Sequence, residues 1–211
     1  MNRFFTAFAL TLVCGHASAA TITSYTDRAL FEAALTGAVE IEDFSSVAAD
    51  DSFAAGSAAV GGLTVSAEGD GFGLYNLIDV PAVFPEVDLN GTTVLNFFTL
   101  DGANASISFD EPVFAFGADF FNFNDDFLRT QIGVLGQLIA PPPSDDDTPT
   151  FFGILSPEAF DRVDFVGLAN DVFGVDNVTT ADSPSVVPLP ASFPMLIVGL
   201  GGLLLIQRRR R

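Results

Sequence analysis

Chemistry in this chain would have to be carried by carboxylates, because few other reactive side chains are present where they could act. The single cysteine, Cys14, and the single histidine, His16, lie among the first 20 residues, and the chain has no lysine and no tryptophan. Those first residues read as a leader. Arg3 gives a positive start, residues 4–14 form an apolar run, and Ala17-Ser18-Ala19 supplies small residues at the spacing a signal peptidase needs. Cleavage is expected after Ala19, with Ala20 as the alternative, so that residues 1–19 are a signal peptide and take Cys14 and His16 with them. Ser-His-Asp and Cys-His nucleophiles, Schiff-base lysines and the usual strong zinc ligands are then excluded from the exported protein. The carboxylate pair of a glycosidase is the main enzymatic chemistry left.

Carboxylates are abundant, which weakens any argument from a pair of them. All 27 acidic residues fall between the leader and the last 28 residues, where only Arg28, Arg129 and Arg162 are basic. Such a surface repels phosphates, so nucleic acid is excluded as a partner. Sugar-stacking platforms are scarce, with no tryptophan and only Tyr25 and Tyr75 as tyrosines. The chain is therefore expected not to be an enzyme. A hard cation needs several converging oxygens, and calcium is the one cofactor the sequence suggests. Asn122, Asn124, Asp125 and Asp126 form one oxygen-rich turn, but EF-hand spacing and its glycine are absent, so an ordinary hairpin turn is favoured. Asp145-Asp146-Asp147 lies in a proline-bearing segment and reads as a solvated loop. The remaining candidate calcium set is Glu40, Glu42 and Asp43 near the start of the domain with Asp176 and Asn177 near its end, since first and last strands of a jelly roll often lie together. Gly69-Asp70-Gly71-Phe72-Gly73 places an acid where a phosphate would sit, which excludes a nucleotide loop.

The elements that would position these groups are mostly strands. With 49% hydrophobic residues and 23 phenylalanines, the chain has ample apolar surface for a core, so it is not a disordered acidic polymer. One helix is expected over 26–36, capped by Thr26, stopped by Gly37, and apolar along Leu30, Ala33, Ala34 and Leu35. From Val39 the period becomes two. Residues 50–62 read as a loose connection. Strands are expected over 63–67, 74–80, 93–99, 105–109, 113–123, 130–139, 151–155, 160–166 and 172–179, with turn signals at Asn90-Gly91 and Asp101-Gly102. In the segment 113–123, alternation puts Phe114, Phe116 and Phe120 on one face and Phe121 and Phe123 on the other. The pattern predicts an all-β protein, an antiparallel jelly-roll-like β-sandwich over 20–183 with one short N-terminal helix and a barrel as the second choice.

The last 28 residues, 184–211, are built differently. Val187, Pro188, Leu189, Pro190 and Ala191 cannot continue a helix or strand; residues 193–206 carry no charge; Arg208, Arg209, Arg210 and Arg211 close the chain. The order reads as an apolar stop with cations held on the cytoplasmic side. At ~1.5 Å per residue the uncharged run gives only about 21 Å of helix, a marginal transmembrane anchor suited to temporary retention.

This tail resembles the PEP-CTERM family of sorting signals in its VPLPA variant, on the pentapeptide 187–191, the glycine-bearing apolar stretch and the arginine cluster in that order. The domain is similar, more weakly, to those of other such substrates in Arg28-Ala29-Leu30-Phe31-Glu32-Ala33-Ala34, Glu42-Asp43-Phe44, Phe116-Gly117-Ala118-Asp119-Phe120 and Phe173-Gly174-Val175-Asp176-Asn177-Val178. The resemblance implies an exported envelope protein, held transiently in the inner membrane and cleaved near the proline motif by an exosortase-type membrane protease. Release to the cell surface or extracellular matrix would follow, in association with exopolysaccharide and biofilm. The expected function is thus that of a non-enzymatic surface or matrix protein. A calcium-stabilised carbohydrate-binding module is the alternative, and a glycosidase a more distant one.

Overall fold

A computed structural model describes residues 21–54, 56–69, 75–80, 92–125, 127–145 and 148–184. The expected signal peptide with Ala17, Ala19 and Ala20, the motif Val187, Pro188, Leu189, Pro190 and Ala191, the apolar stretch 193–206 and Arg208, Arg209, Arg210 and Arg211 lie outside the described residues, as do Asn90-Gly91, Asp126, Asp146 and Asp147. Among the described residues no helix is long and apolar enough to cross a membrane.

The described residues are all-β with one short helix. Twelve antiparallel strands form one continuous sheet: β1 (Thr23–Tyr25), β2 (Thr36–Glu42), β3 (Asp51–Ser52), β4 (Ser57–Val60), β5 (Leu63–Ala67), β6 (Leu77–Asp79), β7 (Val94–Thr99), β8 (Ala105–Phe121), β9 (Thr130–Val134), β10 (Gln137–Ile139), β11 (Thr150–Gly167) and β12 (Asp171–Ser183). The main path runs β10-β9-β11-β8-β12-β7-β6-β3; β1 joins β11, β2 joins β12, and the β4–β5 hairpin joins β8 through β5. The helix α1 (Arg28–Ala34) lies between β1 and β2 in the chain.

Two long strands organise this sheet by changing neighbours halfway along. Residues 105–109 of β8 pair with β5, whereas residues 115–121 pair with β12. In β11, residues 153–155 pair with β1 and residues 164–167 with β9. Each strand has an exposed corner, Asp110-Glu111-Pro112 in β8 and Pro157-Glu158-Ala159 in β11, and the β8–β11 register shifts there. A proline cannot donate to the ladder, so strand pairing loosens where it sits. These prolines divide the sequence pattern into shorter segments, whereas 105–109 and 113–121 belong to one strand and 151–155 and 160–166 to another.

The sheet folds over an aromatic core. Phe165, on the part of β11 that pairs with β9, meets Phe97 of β7 at 5.0 Å, Phe173 of β12 at 5.2 Å and Phe120 of β8 at 6.2 Å between ring centroids. Tilted and edge-on rings at these separations are the favoured aromatic arrangements. Phe123 joins the same core, 4.7 Å from Phe173, rather than the opposite face that alternation assigns it. Asn122 and Asn124 adopt left-handed backbone (φ 54°) on either side, so the strand period no longer applies at Phe123.

Other sequence expectations shift for local reasons. The helix is shorter than 26–36: Asp27, not Thr26, caps it, with its carboxylate accepting a hydrogen bond from the Leu30 N–H. Gly37 lies inside β2 at φ 82° instead of ending the helix. Phe31 alone is fully buried on α1; of the expected apolar side Ala34 and Leu35 pack beside it, whereas Leu30 is 64% exposed and Ala33 is exposed too. Residues 50–62 contain β3 and β4. The expected strand over 130–139 is a hairpin that turns at Leu135 (φ 50°) and Gly136 (φ 75°). Leucine in left-handed backbone is uncommon, which hides this turn from sequence signals.

Phe31 docks the helix on the outer face of the sheet. Gly117 of β8 and Gly153 of β11 are directly opposite one another in the ladder, and Phe31 covers both. A Cβ on either glycine would come within 2.7 Å of its ring. Around it pack Ala115, Phe151, Leu155 and Ala181, with Tyr25 edge-on at 5.8 Å. Gly117→Ala is expected to cost about 1–3 kcal/mol by overpacking, read as a lower urea midpoint. In a Phe31→Ala background the same change should cost less, because one of the two rings it strikes is gone and Phe151, whose Cζ would lie 2.9 Å from the new Cβ, gains room to shift.

Candidate functional site

Residues from three of the segments 28–34, 42–44, 116–120 and 173–178 come together at one spot. Arg28, on the first turn of α1, points its Nη2 at Asp119 Oδ1 of β8 (2.9 Å) and donates from Nη1 to Thr179 Oγ1 of β12 (3.1 Å). Its guanidinium lies 4.5 Å from the centroid of the Phe151 ring, and Glu32 is 3.6 Å away one helical turn on. The other oxygen of Asp119 accepts a hydrogen bond from Asn177 Nδ2 at 3.0 Å.

This arrangement answers an electrostatic problem set by register. Asp119 and Asp176 are opposite partners in the β8–β12 ladder. Like charges directly opposite each other destabilise a sheet. Asp176 is also buried, and that burial, reinforced by the Asp119 charge, pushes its pKa up to about 6. Arg28 and the Asn177 amide compensate on Asp119, while the Asn177 N–H donates to Asp176 Oδ1 at 2.6 Å. Asn177 reaches both because its backbone is left-handed (φ 51°) at a register shift between Asp176 and Thr179. Chemically the cluster is a clamp: both Asp119 oxygens are occupied in joining α1, β8 and β12.

The expected calcium residues are neighbours in the sheet but do not converge. β2 pairs directly with β12, Glu42 opposite Val178 and Glu40 opposite Thr180. Asp176 and Asn177 are nevertheless committed to the clamp. Glu42 Oε1 accepts from the Phe44 N–H at 2.8 Å. Asp43 Oδ1 accepts from the Ser45 N–H at 3.0 Å, and the hydroxyl and N–H of Ser45 hold its carboxyl below the usual range. Among the described residues, no three His, Cys, Asp or Glu side chains are placed to hold a metal ion. Thus Glu40, Glu42, Asp43, Asp176 and Asn177 serve a turn, a groove wall and the clamp as they stand.

The second oxygen-rich stretch is organised as a turn. Asn124 Oδ1 accepts from the N–H groups of Arg129 (2.6 Å) and Thr130 (2.7 Å), and its Nδ2 donates to the Thr130 carbonyl. Asp125 pairs with Arg129 at 3.3 Å. The loop carrying Asp145 closes on it, with the Asn122 N–H donating to the Asp145 carbonyl and Phe123 bonded to Ser144. Beside this turn lies Asp171, only 1% exposed, which falls just before the strand expected over 172–179 and carries no motif that singles it out. Neither of its oxygens meets a donor in hydrogen-bond geometry. Burial pushes its pKa up to about 6, against the pull of the nearby Thr130 hydroxyl, Asn124 backbone and Arg129 charge.

A groove of about 560 Å³ opens between β2 and β12 on one side and the start of β5 with the corner of β8 on the other. Glu40, Glu42, Asp110, Glu111 and Asp182 line it, and among the described residues no basic one does. Its apolar part is Leu63, Phe109, Val113 and Val178, all core residues. Asp110-Glu111-Pro112 between two apolar strand-like runs was the available sequence signal for this corner.

Asp171 and Asp176 bind protons more readily folded than unfolded, because their folded pKa values of about 6 exceed the ordinary 3.8. Their contribution to stability is therefore fully present below pH ~4 and lost as pH rises through ~6. Asp171→Asn and Asp176→Asn should each flatten the fall in melting temperature between pH 4.5 and 7.5, by the equivalent of about 1–2 kcal/mol. Comparison with protein-family models, with curated proteins and with solved structures finds no match.

Proposed function

We propose that this chain is a non-enzymatic surface or extracellular-matrix protein, exported through its leader and sorted and cleaved at its C-terminus by an exosortase-type membrane protease. The observation that carries the reading is the order of the tail: Val187-Pro188-Leu189-Pro190-Ala191, then an uncharged stretch over 193–206, then Arg208-Arg209-Arg210-Arg211. A proline motif ahead of a short apolar run and a cation cluster suits a segment that halts at the inner membrane and is then removed. The protein left after both cuts would be a highly acidic domain at the cell surface or in an exopolysaccharide matrix. We read its folded-over sheet as a jelly-roll-like β-sandwich. The Arg28–Asp119–Asn177 clamp supports a structural role for the acidic residues nearest the helix, since one Asp119 oxygen is paired with the Arg28 guanidinium and the other accepts from the Asn177 amide.

Mass spectrometry of the protein from its native host tests this directly. The expected mature chain begins after Ala19 and ends near the Pro-Leu-Pro motif, without the four arginines. A mature chain that keeps its arginines, with its location unchanged when the exosortase is deleted, would overturn the proposal.

A further inference from the structure

The strand β2 has an unusual exposure. It pairs with β12 alone among the described residues and no residue along it is buried. Its alternation sends the charges inward. Glu40 and Glu42 share a face with Thr180 and Val178, and all four line the groove; Val39 and Ile41 share the other face with Ala181 and Thr179, are 45% and 58% exposed, and Ile41 also borders the groove at its rim. An apolar outer row on an open edge strand is a template for another strand, and inward charges are one way that proteins discourage such pairing. Here the inward charges open onto a groove with an apolar floor, and Asp110, Glu111 and Asp182 share it with no cation opposite among the described residues. The three described arginines are engaged elsewhere: Arg28 with Asp119, Arg129 with Asp125 and Arg162 with Asp164.

We infer that the β2 edge is a docking site for an extended polypeptide segment in which basic and apolar residues alternate. Such a segment adds a strand to the sheet at β2. Its basic side chains point into the groove to meet Glu40, Glu42 and the corner carboxylates, and its apolar side chains lie outward beside Val39 and Ile41. Backbone hydrogen bonds supply affinity in strand addition, and alternate side chains supply specificity. Opposite charges across a strand pair stabilise it, so the order of residues matters and not only their net charge. The site is independent of how the tail is processed.

The test uses the full chain in a non-ionic detergent and two labelled peptides of about ten residues, one alternating Arg and Val, the other with the same composition in two blocks. By fluorescence anisotropy the alternating peptide should bind at least about tenfold more tightly than the block peptide. The double change Glu40→Gln/Glu42→Gln should remove that preference, with the melting temperature checked to confirm folding. Asp145→Asn/Asp161→Asn, which removes two exposed acids elsewhere, should leave it intact. Equal binding of the two peptides, or binding of neither, would overturn the inference and leave the inward charges as edge protection. An equal loss in the two double variants would reduce it to net-charge attraction and also overturn it. Tighter binding after Arg208, Arg209, Arg210 and Arg211 are changed to Gln would make the chain's own tail the occupant, overturning an external partner.

Discussion

The structure depends on how closely α1 can approach the sheet, and that is set by two glycines facing each other across β8 and β11. Gly117 and Gly153 leave a gap in the side-chain layer that the Phe31 ring fills, in contact with the backbone of both strands. Because Phe31 is the only fully buried side chain of a seven-residue helix, nearly all of the docking specificity rests on this contact. A helix this short is marginal alone and relies on tertiary packing. Once Phe31 is seated, Arg28 stands three residues earlier, close enough to reach Asp119 and Thr179.

The Arg28 contact then determines what the sheet beneath can contain. Asp119 and Asp176 face each other in the ladder, an arrangement that would be costly without a cation and an amide donor. Asn177 supplies the amide only because the strand is irregular there, its left-handed residue rotating the side chain toward Asp119. Helix, glycine pair and strand irregularity are therefore one mechanical unit. Asp171 differs in its donors. It is as deeply buried but has none in hydrogen-bond geometry, whereas Asp176 has the Asn177 N–H; burial raises the pKa of both.

The acidic surface divides along the same lines. Carboxylates near α1 are held by hydrogen bonds and an ion pair, and those in the turn after β8 by Arg129 and backbone N–H groups. The groove beside β2 is different, because its walls are acidic and its floor belongs to the core. That combination arises where β8 turns its corner, leaving Asp110 and Glu111 beside the start of β5 and across from β2. A surface of uniform negative charge in composition thus contains both neutralised clusters and an open one.

By itself the sequence determined that the protein is all-β with an N-terminal helix, since alternating apolar residues and phenylalanine-rich runs suit a pleated, two-sided surface. It also carried the entire case for export and sorting, because leader and tail are local patterns of charge, proline and apolar length. Three things were decided only in the tertiary structure. The prolines at 112 and 157 look like strand ends, but β8 and β11 continue through them, as pairing with different neighbours on each half sustains the strand. Leu30, Ala33, Ala34 and Leu35 read as the helix's apolar side, yet the gap over Gly117 and Gly153 makes Phe31 the buried anchor with only Ala34 and Leu35 beside it, and no helical periodicity encodes a gap in another element. Glu40, Glu42, Asp43, Asp176 and Asn177 are chemically suited to one ion and lie on adjacent strands. Their side chains part because strand alternation, a turn at Ser45 and the demand of Asp119 pull them three ways.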